Sequence, residues 1–351
     1  MFLKLFHLLK LILIISKFIF IFIFTNVYAE EQSLNIKKAN YANILMYHRF
    51  GETTHPSTNI TLQQFINHID ELNREEYHVL NLNKIVKAIK NEEQIPDRSV
   101  AITIDDAYLS VYKNAWPILK KNGFTFTLFV STDVIDQRLK NYMNWDQIRE
   151  LMDYGVTIGS QTKTHPHMHR LSKEEKINEI NHSNSRFIDE LGFKPNLFAY
   201  PYGEYDIETI EVIKESDFVA AFGQHSGVAH FSAGLFELPR FAMNENYGGL
   251  DRLKLAINAL PLEVIDVSPR NPLLTQNPPN FGFTLTKNNS PEKIVRCFAS
   301  DKIGSKTTRI GRSRIEVRMN RSFPRARGRI NCTMEASNGR WRWFGKQFLT
   351  K

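Results

Sequence analysis

Apolar and polar positions follow two different periods along this chain, and the changes between them mark its elements. Between residues 41 and 241, short runs of β-branched and aromatic residues alternate with stretches that have the spacing of amphipathic helices. The predicted strands are Asn43–Tyr47, Val100–Ile104, Phe124–Ser131, Val156–Ser160, Leu197–Tyr200, Val219–Phe222 and Leu238–Phe241. The predicted helices are Thr61–Glu75, Leu109–Asn122, Trp145–Tyr154, Lys173–Leu191 and Ile207–Ser216. This alternation indicates a mostly parallel α/β sheet, and about seven strands favour a deformed (β/α) barrel.

The pattern changes at the end of this region. Residues 263–279 contain four Pro and two Asn, which predicts a linker after a barrel domain over residues 30–262. Residues 280–351 then show the alternation of a small β domain. Its predicted strands are Phe281–Thr286, Arg314–Met319, Arg329–Met334 and Arg340–Phe348, with turns at Gly328 and Asn338-Gly339.

The first 29 residues have the order of an export signal. Two lysines precede the apolar stretch Leu11–Phe24, and Val27-Tyr28-Ala29 presents small residues where a signal peptidase cleaves. The alternative is a retained membrane anchor through residues 11–27, although a lysine interrupts the apolar run. Both interpretations place the rest of the chain in the periplasm or outside the cell, where disulfides persist.

The two predicted domains differ in net charge. The chain carries a net charge of +8, but residues 280–351 hold 17 Lys and Arg against 4 Asp and Glu, a net +13. That leaves about −5 for the preceding 279 residues. The basic domain therefore suits an anionic envelope surface, and export argues against nucleic acid as its partner. We expect the protein to be a monomer.

The two cysteines of the chain, Cys297 and Cys332, both lie in the predicted β domain, 35 residues apart. In an exported chain this arrangement predicts one disulfide inside that domain, with two unrelated buried thiols as the alternative.

Adjacent carboxylates, Asp105 and Asp106, end the predicted strand Val100–Ile104. Parallel α/β folds collect their active sites at such strand ends. Two carboxylates held together resist joint ionisation unless a cation or a proton intervenes, so one can bind metal while the other acts as a base. The alternative is an N-cap for the helix that follows.

Three histidines, His165, His167 and His169, lie within five residues after the predicted strand Val156–Ser160. Histidine together with aspartate is a common ligand set for a divalent metal such as zinc. A single histidine would more often be a surface or core residue, but three so close to a strand end favour at least one ligand.

Aromatic residues follow the predicted strand Leu197–Tyr200, where Tyr200, Pro201 and Tyr202 precede a glycine. Such a rigid wall of rings suits the C–H faces of sugars, although core packing is the alternative. Two histidines extend the set of strand-end residues, because His48 ends the first strand and His225 follows the sixth.

Taken together, these motifs resemble the polysaccharide deacetylases with a NodB homology domain, carbohydrate esterase family four, over roughly Tyr41 to Leu260. Asp105-Asp106 matches the family's Thr-Phe-Asp-Asp-Gly motif, and Gly159 to Pro166 matches its His-Thr-x-x-His-Pro motif. Tyr200-Pro201-Tyr202-Gly203 matches the groove-wall motif. Met46-Tyr47-His48 looks most like the poly-N-acetylglucosamine deacetylase branch.

The resemblance implies hydrolysis of N-acetyl groups on an amino-sugar polymer, chitooligosaccharide-like, with a divalent metal, most simply zinc. It implies that Asp105 is the base and that Asp106 and His165 are metal ligands. The family's first metal histidine falls on Gln161, so the third ligand is either the Gln161 amide oxygen or His169. The family's groove arginine falls on an alanine, at position 199.

The general acid is open between His225 and His48. The predicted substrate-binding residues are His48, Tyr108, Tyr200, Pro201 and Tyr202. Because an amide is a weaker zinc ligand than imidazole, the alternative function is a non-catalytic envelope polysaccharide-binding protein with a degenerate deacetylase site.

Overall fold

The computed structural model of the chain describes residues 37–286, 293–324, 326–336 and 339–350. The predicted leader and Asn338 of the predicted turn lie outside these ranges. No helix in the described part of the chain is both long and apolar enough to span a membrane.

A curled, mostly parallel sheet forms the first part of the fold, as the alternating pattern predicts. Its region contains the strands β1 Lys38–Ala39, β2 Tyr41–Tyr47, β3 Arg49–Phe50, β4 Asn59–Ile60, β5 His78–Val79, β6 Ile95–Pro96, β7 Ser99–Asp105, β8 Thr127–Val130, β9 Thr157–Ser160, β10 Leu197–Ala199, β11 Ala220–Phe222, β12 Ala229–His230 and β13 Phe241–Ala242. The main sheet has the order β11-β10-β9-β8-β7-β2-β12, with β5 beside β7 and β13 beside β2. Only β12 in this sheet runs antiparallel to its neighbour. Every residue of β2 and β7 is buried, as expected for a parallel sheet covered on both faces.

Helices cover the outside of this deformed barrel. The α-helices are Leu62–Leu72, Leu82–Asn91, Trp116–Lys121, Thr132–Asp136, Trp145–Asp153, Lys173–Leu191, Ile207–Glu215 and Leu250–Ile257. Three of them begin with a capping box, in which the cap and the third helical residue satisfy each other's backbone N–H groups. The predicted helix Leu109–Asn122 is instead a π-helical turn over Val111–Ala115 followed by an α-helix from Trp116. Pro117 explains the break, because it has no N–H to continue the α-helical ladder from the preceding turn.

One short segment, Leu238–Ala242, spans the gap between the two ends of the curled sheet. Leu238 forms a bridge with Phe222 of β11, and β13 pairs in parallel with β2. The segment therefore closes the barrel, and Arg240 at its centre is completely buried. This position lets a charged side chain reach the strand ends where Asp105 lies.

Two four-stranded sheets pack together after the barrel. They are built from β14 Leu260–Pro261, β15 Val264–Ser268, β16 Phe281–Leu285, β17 Val295–Ala299, β18 Ser305–Ile310, β19 Arg314–Met319, β20 Ala326–Glu335 and β21 Trp341–Thr350. The sheet orders are β14-β21-β20-β17 and β15-β16-β19-β18. A shared core that includes Phe281, Phe283 and Val317 lies between them. The chain from Ala39 onward forms one compact unit, so this C-terminal β domain packs directly on the barrel.

Two expectations for this region differ from the structure. The predicted linker over residues 263–279 contains β15, which pairs with β16 at the edge of a sheet and exposes much of its surface, so its pattern is weak. Gly328 lies inside β20 and not in a turn. A side chain there would collide with the ring of Phe323, about 2.1 Å from the position of its Cβ, so the glycine allows close packing.

The predicted disulfide is confirmed. Cys297 and Cys332 lie directly opposite each other on β17 and β20, with their Cα atoms 4.0 Å apart, and form a disulfide inside the core of the C-terminal domain.

Loss of this disulfide should destabilise the C-terminal domain by about 3–4 kcal/mol, because a loop of this length loses substantial entropy when it is closed in the unfolded chain. We expect the Cys297→Ala/Cys332→Ala variant to unfold at a lower denaturant concentration. The wild-type protein in reductant should approach the same midpoint. Equal midpoints for the wild-type protein with and without reductant would contradict this prediction.

Candidate active site

A cavity of about 410 Å³ opens at the carboxyl ends of the barrel strands. Residues that line it include His48, Asp106, Tyr108, His165, Tyr202 and Arg327. Five of these six follow barrel strands and were candidates from the sequence. The sixth, Arg327, comes from β20 of the C-terminal domain. The structure therefore brings separate sequence motifs to one edge of the sheet, where parallel α/β folds place their sites.

Asp105 forms a buried ion pair that the sequence analysis missed. Its two carboxylate oxygens accept hydrogen bonds from Nη1 and Nη2 of Arg240 at 2.7 and 2.8 Å, and both residues are fully buried. Arg240 also donates from Nε to the carbonyl of Gly223 and from Nη1 to the hydroxyl of Thr103. This fork holds Asp105 in one orientation, because a planar guanidinium matches the two oxygens of a carboxylate.

His48 lies beside this pair and lines the cavity. Its Nε2 is 3.9 Å from the second carboxylate oxygen of Asp105. His48 is only partly buried, whereas Asp105 is closed off from solvent. A buried carboxylate and a cavity-lining imidazole are thus close enough to act on the same group.

Asp106, which follows β7, and His165, which follows β9, lie next to each other. The Oδ1 atom of Asp106 and Nε2 of His165 are 3.5 Å apart, and that Nε2 has no hydrogen-bond partner among the described residues. Burial lowers the pKa of His165, with the charge of Asp106 acting in the opposite direction. A neutral imidazole next to a carboxylate is the form in which both bind a metal.

Gln161 is buried as a metal ligand would be, and its side-chain amide has no assigned partner among the described residues. Its side chain is fully buried, and neither Oε1 nor Nε2 has a hydrogen-bond partner within the described residues. Its backbone N–H donates to Val130, while that of Asp106 donates to Phe129, so the two residues flank the end of β8. A buried amide left without partners is costly, which favours a ligand at this position.

These residues fit a divalent cation. Within the described residues, no group of three or more His, Cys, Asp or Glu could hold a metal. A carboxylate oxygen of Asp106, Nε2 of His165 and the amide oxygen of Gln161 provide a mixed donor set instead. His169, the other candidate for the third ligand, lies with Nδ1 3.4 Å from the Glu204 carboxylate.

The predicted groove wall divides into a buried part and a half-buried part that lines the cavity. Tyr200 and Pro201 are buried, and the Tyr200 hydroxyl donates to the carbonyl of Phe236, so these two residues support the wall from behind. Tyr202 reaches the cavity, with the ring of His167 stacked on it at 4.2 Å. Only Tyr202 of the three is placed to contact a ligand.

His225, the other candidate for the acid, lines a different cavity, which it shares with Lys346 of the C-terminal domain. Burial, followed by the charges of Lys346, Arg329 and Arg240, lowers the pKa of His225 to about 3. His225 is therefore neutral at physiological pH and does not line the cavity that holds Asp106. This placement disfavours the expected catalytic role of His225 and leaves His48.

The fold and this strand-end site define an α/β barrel with a carboxylate pair at the carboxyl ends of its strands. Residues 92–221 match the family model described as polysaccharide deacetylase. This confirms the resemblance seen in the sequence motifs.

Individual relatives agree with this assignment. A poly-β-1,6-N-acetyl-D-glucosamine N-deacetylase of Staphylococcus aureus (strain MRSA252) is 28% identical over 238 residues, which are 62% of this chain and 81% of that enzyme. The deacetylase PplD of Streptococcus pyogenes superimposes with a TM-score of 0.58 at 22% identity, covering 63% of this chain and 99% of its own. IcaB of Ammonifex degensii gives a TM-score of 0.55 at 21% identity, with 61% and 97% covered. The two solved structures have the same barrel fold.

Proposed function

We propose that this protein is an exported, divalent-metal-dependent N-deacetylase that removes acetyl groups from an N-acetylglucosamine polymer. The observation that carries the proposal is the buried Asp105–Arg240 pair beside Asp106 and His165, at the strand ends of a polysaccharide deacetylase domain. The relatives named for poly-β-1,6-N-acetylglucosamine deacetylation support the substrate class.

Asp106, His165 and Gln161 would hold the metal, most simply zinc. A divalent ion at that position polarises a carbonyl and makes a bound water more acidic. Asp105 accepts the proton of the attacking water, whose oxygen bonds to the acetamide carbon. Arg240 holds Asp105 in one orientation through its two hydrogen bonds.

His48 gives a proton to the sugar nitrogen as the C–N bond breaks, which releases acetate and a free amine. His48 is the acid in this proposal because it lies next to Asp105 and lines the cavity. Tyr202 and Tyr108 provide rings on which sugar faces stack at the cavity rim. These two residues, with His48, are the substrate-binding set that the cavity supports.

The outer face of the C-terminal domain is the surface for an anionic envelope polymer in this proposal. Lys306 of β18 and Arg318 of β19 are direct cross-strand neighbours on one face. Arg314 lies on the same face four residues before Arg318 on β19, and Glu316 between them pairs with both arginines. Like charges placed opposite each other destabilise a sheet, so their presence favours an anionic partner. The exported protein would act there as a monomer.

Acetate release from β-1,6-linked N-acetylglucosamine oligomers, measured together with the metal content of the purified protein, tests this proposal. We expect release that stops when a chelator removes the metal and returns when zinc is added. A protein that binds the oligomers and never releases acetate, whatever metal is supplied, would support the degenerate binding protein and contradict the enzyme.

The Gln161→His variant should bind its divalent metal more tightly, by roughly tenfold, the scale on which changes around a metal ligand act. Imidazole is the better donor, and the residue already lies at the family's ligand position. Competition with a fluorescent chelator measures the dissociation constant. Gln63→His, at an exposed helical position, is the matched control. Unchanged affinity in Gln161→His together with metal loss in His169→Ala would assign the third ligand to His169.

A further inference from the structure

Arg327 extends from the C-terminal domain into the deacetylase cavity. Its Nη1 donates a hydrogen bond of 2.9 Å to the backbone carbonyl of Tyr202, and its guanidinium lies 5.9 Å from the centre of the Tyr202 ring. The side chain is about one third exposed, at 36%, and lines the same cavity as Asp106 and His165. A residue of the second domain is therefore part of the wall of the site.

A second side chain of the same domain holds the neighbouring residue of the wall. Nε2 of Gln347 donates to the carbonyl of Gly203 at 2.9 Å, in a fully buried contact, and Arg329 donates to the Gln347 side-chain oxygen. Tyr202 itself has a φ of 58°, in the left-handed region that non-glycine residues rarely adopt. Contacts from the C-terminal domain thus fix two successive carbonyls around a strained tyrosine.

The charge of Arg327 is only partly compensated. Glu204 is buried, and its carboxylate lies 3.4 Å from Nε of Arg327. The same carboxylate lies 2.5 Å from Nδ1 of His167, so it is shared with a second group. Nη2 of Arg327 has no hydrogen bond in the described part of the chain. The guanidinium of this cavity-lining residue therefore keeps a donor available.

We propose that Arg327 is a substrate-positioning residue, which donates a hydrogen bond to an oxygen atom of a sugar unit in the cavity while that sugar lies against Tyr202. This inference rests on the proposed function and adds that the C-terminal domain completes the substrate site. A guanidinium presents several fixed donors beside an aromatic ring, an arrangement that suits the hydroxyl and carbonyl oxygens of an amino sugar. The domain would then contribute to the choice of polymer as well as to attachment.

The test compares Arg327→Met, which keeps the apolar stem and removes the donors, with Arg327→Lys and with Arg296→Met. Arg296 is an exposed arginine of the same domain and serves as the matched control. For acetate release from N-acetylglucosamine oligomers, we expect KM to rise about tenfold or more in Arg327→Met with kcat nearly unchanged, since a hydrogen bond to a charged group acts on that scale. Arg327→Lys should recover part of the loss, and Arg296→Met should behave as wild type.

The Gln347→Leu variant distinguishes a direct contact between Arg327 and the sugar from an indirect effect of Arg327 through the wall. It removes an anchor of the wall without touching the cavity, so we expect it to lower kcat more than it raises KM. The same KM increase in Gln347→Leu as in Arg327→Met would show that Arg327 acts through the wall and would overturn the proposal. An unchanged KM in Arg327→Met would overturn it as well.

Calorimetric measurement of the affinity for the same oligomers tests this inference independently of the proposed function. If the wild-type protein released no acetate, the deacetylase proposal would fail, but the affinity of wild type and Arg327→Met could still be compared. A weaker affinity in Arg327→Met alone would support the positioning role, and equal affinities would reject it.

Discussion

The Asp105→Asn variant is expected to lose acetate release by about 10²–10⁴-fold in kcat, the usual contribution of a general base. Asparagine keeps the size of the side chain and one acceptor oxygen for Arg240, so the barrel should still fold. Asp106 and His165 are not altered, and the metal content should therefore remain close to one ion per chain. Steady-state acetate release and metal analysis of the same preparation measure both quantities.

Asp70→Asn, at an exposed position of the helix Leu62–Leu72, is the control for the charge change and should behave as wild type. Loss of metal in Asp105→Asn would show that Asp105 is the metal ligand and Asp106 the base, the reverse of the roles assigned here. Activity within a few-fold of wild type would remove Asp105 from the mechanism.

Arg240→Met should be the most destabilising single substitution in the barrel, with an expected loss of about 3–5 kcal/mol in the free energy of unfolding. It leaves the buried Asp105 carboxylate without its cation, and breaking one side of a buried pair has a cost of this size. Asp105 also loses the two hydrogen bonds that orient it, so the remaining folded enzyme should be almost inactive. Denaturant unfolding and acetate release measure the two effects.

A double-mutant cycle provides the control for this prediction. Because Asp105→Asn removes the charge that Arg240 neutralises, the double variant Asp105→Asn/Arg240→Met should lose less stability than the two single losses added together. Additive losses would show that the two side chains are energetically independent, despite their two short hydrogen bonds.

Most of the site could be predicted from the order of the motifs along the chain, because parallel strands bring their carboxyl ends to one edge of the sheet. Asp106, His165 and Tyr202 could be placed together for that reason alone. Arg240 was missed because it lies in the segment that closes the barrel, far along the chain from the Asp105-Asp106 motif. Its signal was a lone charged residue inside the apolar run Leu238–Met243.

Other misses came from weaker local signals. The helix Leu82–Asn91 has apolar residues at helical spacing and could have been predicted. Strand β17 presents the exposed Phe298 on its outer face, which hides the alternation expected of a half-buried strand. The contact of Arg327 with Tyr202 joins residues 125 positions apart in different domains, and no local pattern encodes such packing.

The most direct test of the central claim is mass spectrometry of a defined β-1,6-linked N-acetylglucosamine oligomer incubated with the zinc-loaded protein. The account predicts products that have lost one or more acetyl groups, free amines in the same number, and an equal amount of acetate, all absent with Asp105→Asn. An oligomer that stays fully acetylated with a wild-type protein shown to hold its metal would contradict it.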